Sequence, residues 1–249
     1  MSSILQQVTN QILEPTGLTI NQLNGFLDGL QSQHIDTGDL YFQTSQRESW
    51  VLDDGIIREG SFSIEKGVGV RAMSGEKTGF AYCDDLQANA IEQAVKNARA
   101  IASHGQDRET QVALNSKTFN ELYLSANPVD GRHADDKVDL LKKLDVYTRS
   151  LDSRIEQVII SLSGGIEHIL IAATDNTLAA DIRPLVRLNV TVLLQHNGRR
   201  EQGSAGGGGR HSYDKFFDFE VGPDFASNAV RQAPVTLESV LTPAGSTPV

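Results

Sequence analysis

The fold class is decided by one stretch of the chain, SFSIEKGVGVRAMSGEKTGFAYCDDLQANAIEQAVKNARAIA, residues 61–102. Its first part alternates apolar and polar residues, and this period of two predicts a β-strand. Ser74-Gly75 predicts a turn, and the residues from Thr78 to Cys83 predict a strand that returns antiparallel to the first. After Cys83 the apolar residues recur at helical spacing. We therefore predict a strand, turn, strand and helix in this order.

The residues before this stretch predict two helices and two short strands. Apolar residues recur at helical spacing from Ile4 to Leu13, and Thr19 with a glutamine three residues later resembles a capping box that begins a second helix. Short runs rich in aromatic and β-branched residues predict strands at 39–43 and 49–53.

The second half of the chain repeats this order in outline. We predict strands at 154–163 and 167–173 with Gly164-Gly165 as the turn between them, then a long alternating strand that Asn197-Gly198 ends. A closing helix follows and is expected to break near Pro234. The sequence leaves open whether this similarity is a true structural repeat or a coincidence.

These patterns predict an α+β fold. We expect mainly antiparallel sheets with helices packed on one face, two β-rich units in sequence, and helices at the N-terminus. The first unit is expected at residues 1–133 and the second at residues 134–249. Residues 106–132 are predicted as a polar connector in which Phe119, Leu122, Tyr123 and Leu124 dock against the rest of the protein. Residues 242–249 are predicted as a linker.

Composition excludes several classes of protein. Lys+Arg 22 against Asp+Glu 32 gives a net charge of −10, which argues against nucleic acid or an anionic membrane surface as a partner. The single cysteine, Cys83, excludes an intrachain disulfide framework. We find neither a secretory signal nor an apolar run of about 20 residues, so we expect a cytoplasmic protein without a membrane span.

The residues that could carry metal or nucleophilic chemistry are dispersed. No HExxH pair, CxxC pair or GxSxG turn occurs, so we predict no metal ligands and no catalytic residue in this chain. A metal site built from residues distant in sequence stays open. The histidines lie far apart: His34, His104, His133, His168, His196 and His211.

One segment stands apart from this background, NGRREQGSAGGGGR at residues 197–210. Four consecutive glycines leave the backbone N–H and C=O groups uncovered by side chains. One interpretation is a flexible surface loop that is mobile in this chain. The other is a substrate-binding backbone at Gly206, Gly207, Gly208, Gly209 and Arg210, where Arg199 and Arg200 would also help to hold a carboxylate.

This glycine segment closely resembles the strand-and-glycine segment of the TldD/PmbA family, in particular of its TldD-type members. Two flanking stretches agree. WVLDDGIIREGSFSIEKGVGVRAMSGEKTGFAYCDDL at residues 50–86 resembles the N-terminal hairpins of the family, and VTLESVLTPAGSTPV at residues 235–249 resembles the segment that leads into its metal-binding helix.

The resemblance implies a bacterial zinc metalloprotease of unstructured peptides. Family members are associated with microcin leader peptides, with antitoxins and, under an older label, with DNA gyrase modulation. A TldD-type subunit acts with a PmbA (TldE)-type subunit and carries a HExxxH motif that this sequence lacks. We therefore expect an N-terminal fragment that is inactive alone, holds no zinc and self-associates. The alternative is a non-catalytic peptide- or protein-binding module.

Overall fold

The structure is a computed structural model that describes residues 3–31, 35–102, 114–117, 122–237, 239 and 245. A short 3-10 turn, Glu14–Thr16, follows the first helix. The elements are α1 (Ser3–Ile12), α2 (Ile20–Leu30), β1 (Thr37–Asp53), β2 (Ile56–Ser74), β3 (Lys77–Cys83), α3 (Ala88–Ala102), β4 (Asn115–Ser116), α4 (Ala134–Leu151), β5 (Ile155–Ala173), β6 (Thr177–His196), β7 (Arg199–Gly209), α5 (Asp214–Phe217) and α6 (Val221–Leu237).

The strands of the described residues form one sheet. Its order is β3-β2-β1-β5-β6-β4, and β7 also pairs with β6. The β2–β3 and β6–β7 pairs are antiparallel, whereas the two-residue strand β4 runs parallel to β6. The α+β prediction with a mainly antiparallel sheet is therefore confirmed.

The protein divides into two compact units, each built from three segments of the chain. The first comprises Met1–Arg47, Ser63–Ala126 and Gly165–Pro184. Its core joins helices α1, α2 and α3 to alternate residues of the strands, such as Leu40 and Phe42. The capping box at the start of α2 is confirmed, because the Thr19 side chain accepts a hydrogen bond from the backbone N–H three residues later.

The second unit comprises Glu48–Phe62, Asn127–Gly164 and Leu185–Val249. Its core joins α4, α5 and α6 to alternate residues of β5 and β6. An ion pair is buried in this unit, with 2.5 Å between Lys137 Nζ and Glu48 Oε1. The two compact units take their segments alternately along the chain. A division of the chain between residues 133 and 134 stays a prediction.

The predicted turns at Ser74-Gly75 and Asn197-Gly198, and the turns of the β1–β2 and β5–β6 hairpins, occur where the backbone enters the left-handed region. Asparagine, aspartate and glycine tolerate this conformation better than other residues, so these tight hairpin turns could be recognised in the sequence. The residues with positive φ in these turns are Asp54, Gly55, Gly75, Asn176, Asn197 and Gly198.

The predicted turn at Gly164-Gly165 is wrong, because β5 continues through both glycines. Each glycine instead permits a close approach. A Cβ atom on Gly164 would lie 2.2 Å from the hydroxyl oxygen of Tyr213, and one on Gly165 would lie 2.9 Å from the carbonyl oxygen of Gln46. The two short strands predicted at 39–43 and 49–53 likewise belong to the single strand β1.

Some predictions about the connector and the closing helix are also wrong. Leu122 and Leu124 do not dock, since their side chains are 86% and 78% exposed. Tyr123 does make a contact, and its hydroxyl donates to Asp181 Oδ2 at 3.0 Å. Helix α6 continues past Pro234 to its end at Leu237. The predictions for Phe119 and, apart from Gly245, for the linker at 242–249 lie outside the described residues.

Candidate functional site

The glycine segment lies in the edge strand β7. Gly206 pairs with Asn189 of β6, and the pairing continues to Gly209, which pairs with Val186. The interpretation of residues 206–209 as a mobile loop is therefore wrong. Pairing with β6 supplies hydrogen-bond partners for one side of the glycine backbone and offsets the entropy lost on ordering it.

The glycines of β7 have a packing reason. A Cβ atom on Gly207 would lie 2.8 Å from Phe225 Cζ of α6, and one on Gly208 would lie 1.9 Å from the carbonyl oxygen of Val186. The contact at Gly208 is with backbone and excludes a side chain, whereas at Gly207 the Phe225 ring would have to shift. At Gly208 the strand therefore lies closer to β6 than any other residue type would permit.

The outer edge of β7 is open over its last residues. The N–H of Ser204 donates to the side chain of Gln232 at 3.4 Å, which identifies Ser204 as a residue whose backbone groups point away from β6. Because this direction alternates along an antiparallel strand, Gly206 and Gly208 also point their N–H and C=O groups outward. No strand of the described residues pairs with this edge. Such an edge can accept an added strand.

A small polar cluster lies on the same strand pair. The Asn189 amide donates to Thr191 Oγ1 and to Ser204 Oγ, both at 3.2 Å, and the two hydroxyls are 3.0 Å apart. A Cβ atom on Gly206 would lie 2.6 Å from Asn189 Oδ1. The sequence analysis missed this cluster. Its signal was the alternation of small polar residues with the apolar residues of β6.

The arginines near the glycines have partners within the chain. Arg199 donates to the carbonyl oxygens of Thr236 and Ser239 at 3.4 and 3.3 Å. Arg200 lies 2.5 Å from Glu156 Oε1. Arg210 follows the strand and is exposed. A role of these arginines in holding a substrate carboxylate stays a prediction.

The segment after β7 is anchored by buried charge. Burial raises the pKa of Tyr213 far above its usual range, and the nearby Glu48 carboxylate raises it further. Lys137 Nζ, which pairs with Glu48, also donates to the carbonyl oxygen of Val129 at 2.9 Å and lies 5.3 Å from the centre of the Tyr213 ring. Sequence reasoning missed this cluster, because its members are distant along the chain. We interpret it as a structural cluster and not as one that exchanges protons.

Metal ligands are not gathered in the described part of the chain. No group of three or more His, Cys, Asp or Glu side chains among those residues could hold a metal ion. Cys83 is half-buried and donates its Sγ–H to the carbonyl oxygen of Asp85 at 2.9 Å. His34 and His104 lie outside the described residues. The possible ligands among the described residues do not fit zinc, so we assign no hydrolytic step to them.

None of the described helices combines the length and the apolar character that crossing a membrane requires.

Two family models match the chain. The PmbA/TldA metallopeptidase domain 1 matches residues 38–102, and the PmbA/TldA metallopeptidase central domain matches residues 127–237. A metalloprotease TldD homologue of Haemophilus influenzae is 46% identical over 99% of this chain and 52% of its own length. One of Buchnera aphidicola from Acyrthosiphon pisum is 37% identical over 97% of this chain and 51% of its own length.

Solved structures share the fold at low identity. A protein described as a DNA gyrase modulator from Bacteroides thetaiotaomicron has a TM-score of 0.68 at 14% identity, covering 86% of this chain and 49% of that one. TldE from Thermococcus kodakarensis has a TM-score of 0.63 at 13% identity, covering 85% of this chain and 46% of that one. The chain spans about half the length of the curated relatives it matches. By its family matches and its TldD homologues, the chain belongs to the PmbA/TldD metallopeptidase family.

Proposed function

We propose that this chain is the substrate-lining part of a TldD-type zinc metalloprotease that cleaves unstructured peptides. The observation that carries the proposal is the open outer edge of β7 at Gly206 and Gly208. The metal and the hydrolytic groups belong to a part of the enzyme outside the described residues, and the chain alone is inactive.

The chemistry of this edge suits an extended chain of almost any sequence. A peptide added beside β7 bonds to main-chain groups, which every residue of the peptide supplies. Gly208 is exposed, as is Arg210 just after the strand, and glycine presents no side chain that would select the peptide. The edge therefore selects for a chain that is extended and has a free backbone edge, a condition that unstructured peptides meet easily.

The proposal extends to the partner and the setting. The partner is a PmbA (TldE)-type subunit, and one of the structural relatives is a TldE. The substrates are peptides of the kind processed in peptide maturation and antitoxin turnover, and gyrase modulation follows from such cleavage. A single cysteine suits the reducing cytoplasm, where we place the protein. A non-catalytic binding module is the second candidate, because strand addition at β7 needs no metal.

The test uses an unstructured peptide whose backbone nitrogens are methylated at every second residue. A fully methylated peptide and an unmethylated peptide of the same sequence are its controls, since strand addition uses the N–H groups of only one edge of the peptide. We expect full methylation to weaken binding to this chain at least about tenfold through the lost hydrogen bonds, and alternate methylation to leave binding nearly unchanged, because one edge stays free. Calorimetric titration measures all three peptides. Equal binding of the fully methylated and the unmethylated peptide would refute strand addition.

A further inference from the structure

A second open edge lies on β2, which precedes β7 in the sequence. Residues 60–66 are all exposed, and the side chains of Phe62 and Ile64 are 60% and 57% exposed. Strand β3 pairs with β2 only from Val68 onward, where Val68 faces Cys83. In the described residues no strand therefore covers the outer edge of residues 60–66. We call these residues the β2 edge segment.

The β2 edge segment lacks the usual protection against pairing. Natural edge strands are blunted by charges, by proline or by a covering element. The five residues GSFSI at 60–64 contain no charge and no proline, and charged residues occur only at the ends of the exposed stretch. An uncharged open edge with two exposed apolar side chains is the kind of surface that pairs with another strand.

The segment is complementary to itself in one antiparallel register. With Ser63 opposite its own copy, Phe62 faces Ile64 of the other chain twice, and no charged residue stands opposite a like charge. A shift that places Phe62 opposite itself brings Arg58 against Lys66 and Glu59 against Glu65. Since like charges directly opposite are destabilising, that shift is disfavoured. A shift that places Ile64 opposite itself brings no like charges together, but it sets Phe62 against Lys66. The register centred on Ser63 is therefore the one that pairs Phe62 with Ile64 without repulsion.

We propose that the β2 edge segment pairs with the same segment of a second copy of this chain, in the register centred on Ser63. This interaction is separate from peptide binding at β7 and goes beyond the proposed function. Seven paired residues bury less than the roughly 1,200 Å² of a stable interface, so the association is weak and the paired form is populated at high protein concentration.

A cross-link tests the register. Cys83→Ser removes the native thiol, and Ser63→Cys then places two thiols opposite one another, about 5 Å apart at Cβ. Ser61→Cys is the matched control, since in this register its two copies stand four residues apart along the strand, about 13 Å. A thiol cross-linker spanning about 8 Å should join the Ser63→Cys chains and leave the Ser61→Cys chains monomeric.

Substitution at the same edge tests the apolar pairing. Phe62→Lys should abolish the concentration-dependent rise in mass seen by light scattering. Ile56→Lys, at a side chain that is 56% exposed and outside the segment, should leave it unchanged. Binding of an unstructured peptide should be the same in both variants, which separates this proposal from the role of β7.

The outcomes are distinct. Cross-linking at Ser63 alone supports the proposal. A strict monomer at high concentration, equal cross-linking at both positions, or cross-linking to an added PmbA-type subunit in preference to a second copy would each overturn it.

Discussion

Strands β3 and β7 each pack against a helix through one glycine, a contact that we call the joint, and they differ in the residues that follow it. In both, one glycine touches the backbone of a helix later in the chain. A Cβ atom on Gly79 would lie 2.0 Å from the carbonyl oxygen of Ala98 in α3, and one on Gly203 would lie 2.0 Å from that of Ala229 in α6. Beyond this joint, β3 continues with Phe-Ala-Tyr, whereas β7 continues to a run of four glycines.

The difference shows that the glycine run is not required by the joint. In the first unit Phe80 and Tyr82 lie over the backbone of the neighbouring strand. A Cβ atom on Gly69 would lie 3.1 Å from the Phe80 ring, and one on Gly67 would lie 2.7 Å from the Tyr82 ring. Strand β3 thus carries aromatic side chains where β7 carries none. The matching joints support a structural repeat, and the bare strand is the feature that distinguishes the second unit.

The largest expected effect concerns charge that the second unit buries. Lys137→Met keeps the volume of the side chain and leaves Glu48, which is 8% exposed, without its cation. We expect the free energy of unfolding to fall by about 3–5 kcal/mol, because an unpaired buried carboxylate is costly. Urea titration at pH 7 measures the change.

The matched control replaces both partners. The double variant Lys137→Met with Glu48→Gln removes both charges of the pair and should restore most of the lost stability. A single variant within about 1 kcal/mol of the unsubstituted protein would show that this pair is solvated and not a structural anchor.

The second prediction tests whether the two joints are equivalent. Gly79→Ala and Gly203→Ala each place a methyl group against helix backbone and should each lower the free energy of unfolding by about 3 kcal/mol. Gly25→Ala is the control, since no atom lies within 4 Å of its Cβ position and alanine favours a helix. A loss at only one of the two joints would argue against a repeat.

The smallest effect is a pH dependence that arises in the first unit. Burial lowers the pKa of His168, whose Nδ1 atom is buried without a hydrogen-bond partner. Below about pH 6.5 the unfolded chain binds a proton at His168 that the folded chain does not bind. The contribution of His168 to stability is therefore complete above about pH 6.5 and is lost as the pH falls below it. His168→Leu should reduce the loss between pH 7.5 and pH 5.5 in urea titrations. An unchanged loss would place its origin elsewhere.

Local patterns in the sequence were sufficient for much of the fold. The capping box at Thr19 and the turns at Gly75 and Gly198 involve residues within a few positions of one another, so their chemistry is visible in the sequence. The period of two likewise gave most of the strands. These signals depend on neighbours in the chain and not on the final packing.

Close approaches between distant residues could not be predicted. The sequence predicts a turn at Gly164, because the contact with Tyr213, 49 positions away, is invisible to a local pattern. The same limit applies to Gly207 and Gly208, whose reasons lie in Phe225 and Val186. For the candidate site, the role of residues 206–210 in binding substrate stays a prediction, whereas the predicted loop is wrong because residues 206–209 lie in β7. Glycine indicates flexibility and tight contact equally.

The tight hairpins of this sheet have a consequence for the order of folding. The β1–β2 and β5–β6 turns are short, and hairpins of this kind form within microseconds. Joining the two hairpins requires contacts such as the one from the Gly38 N–H to Thr174 Oγ1, which closes 136 residues of chain. Loop closure over that length makes this step slow. Until it occurs, β1 and β5 are also exposed edges, so we expect refolding yield to fall as protein concentration rises.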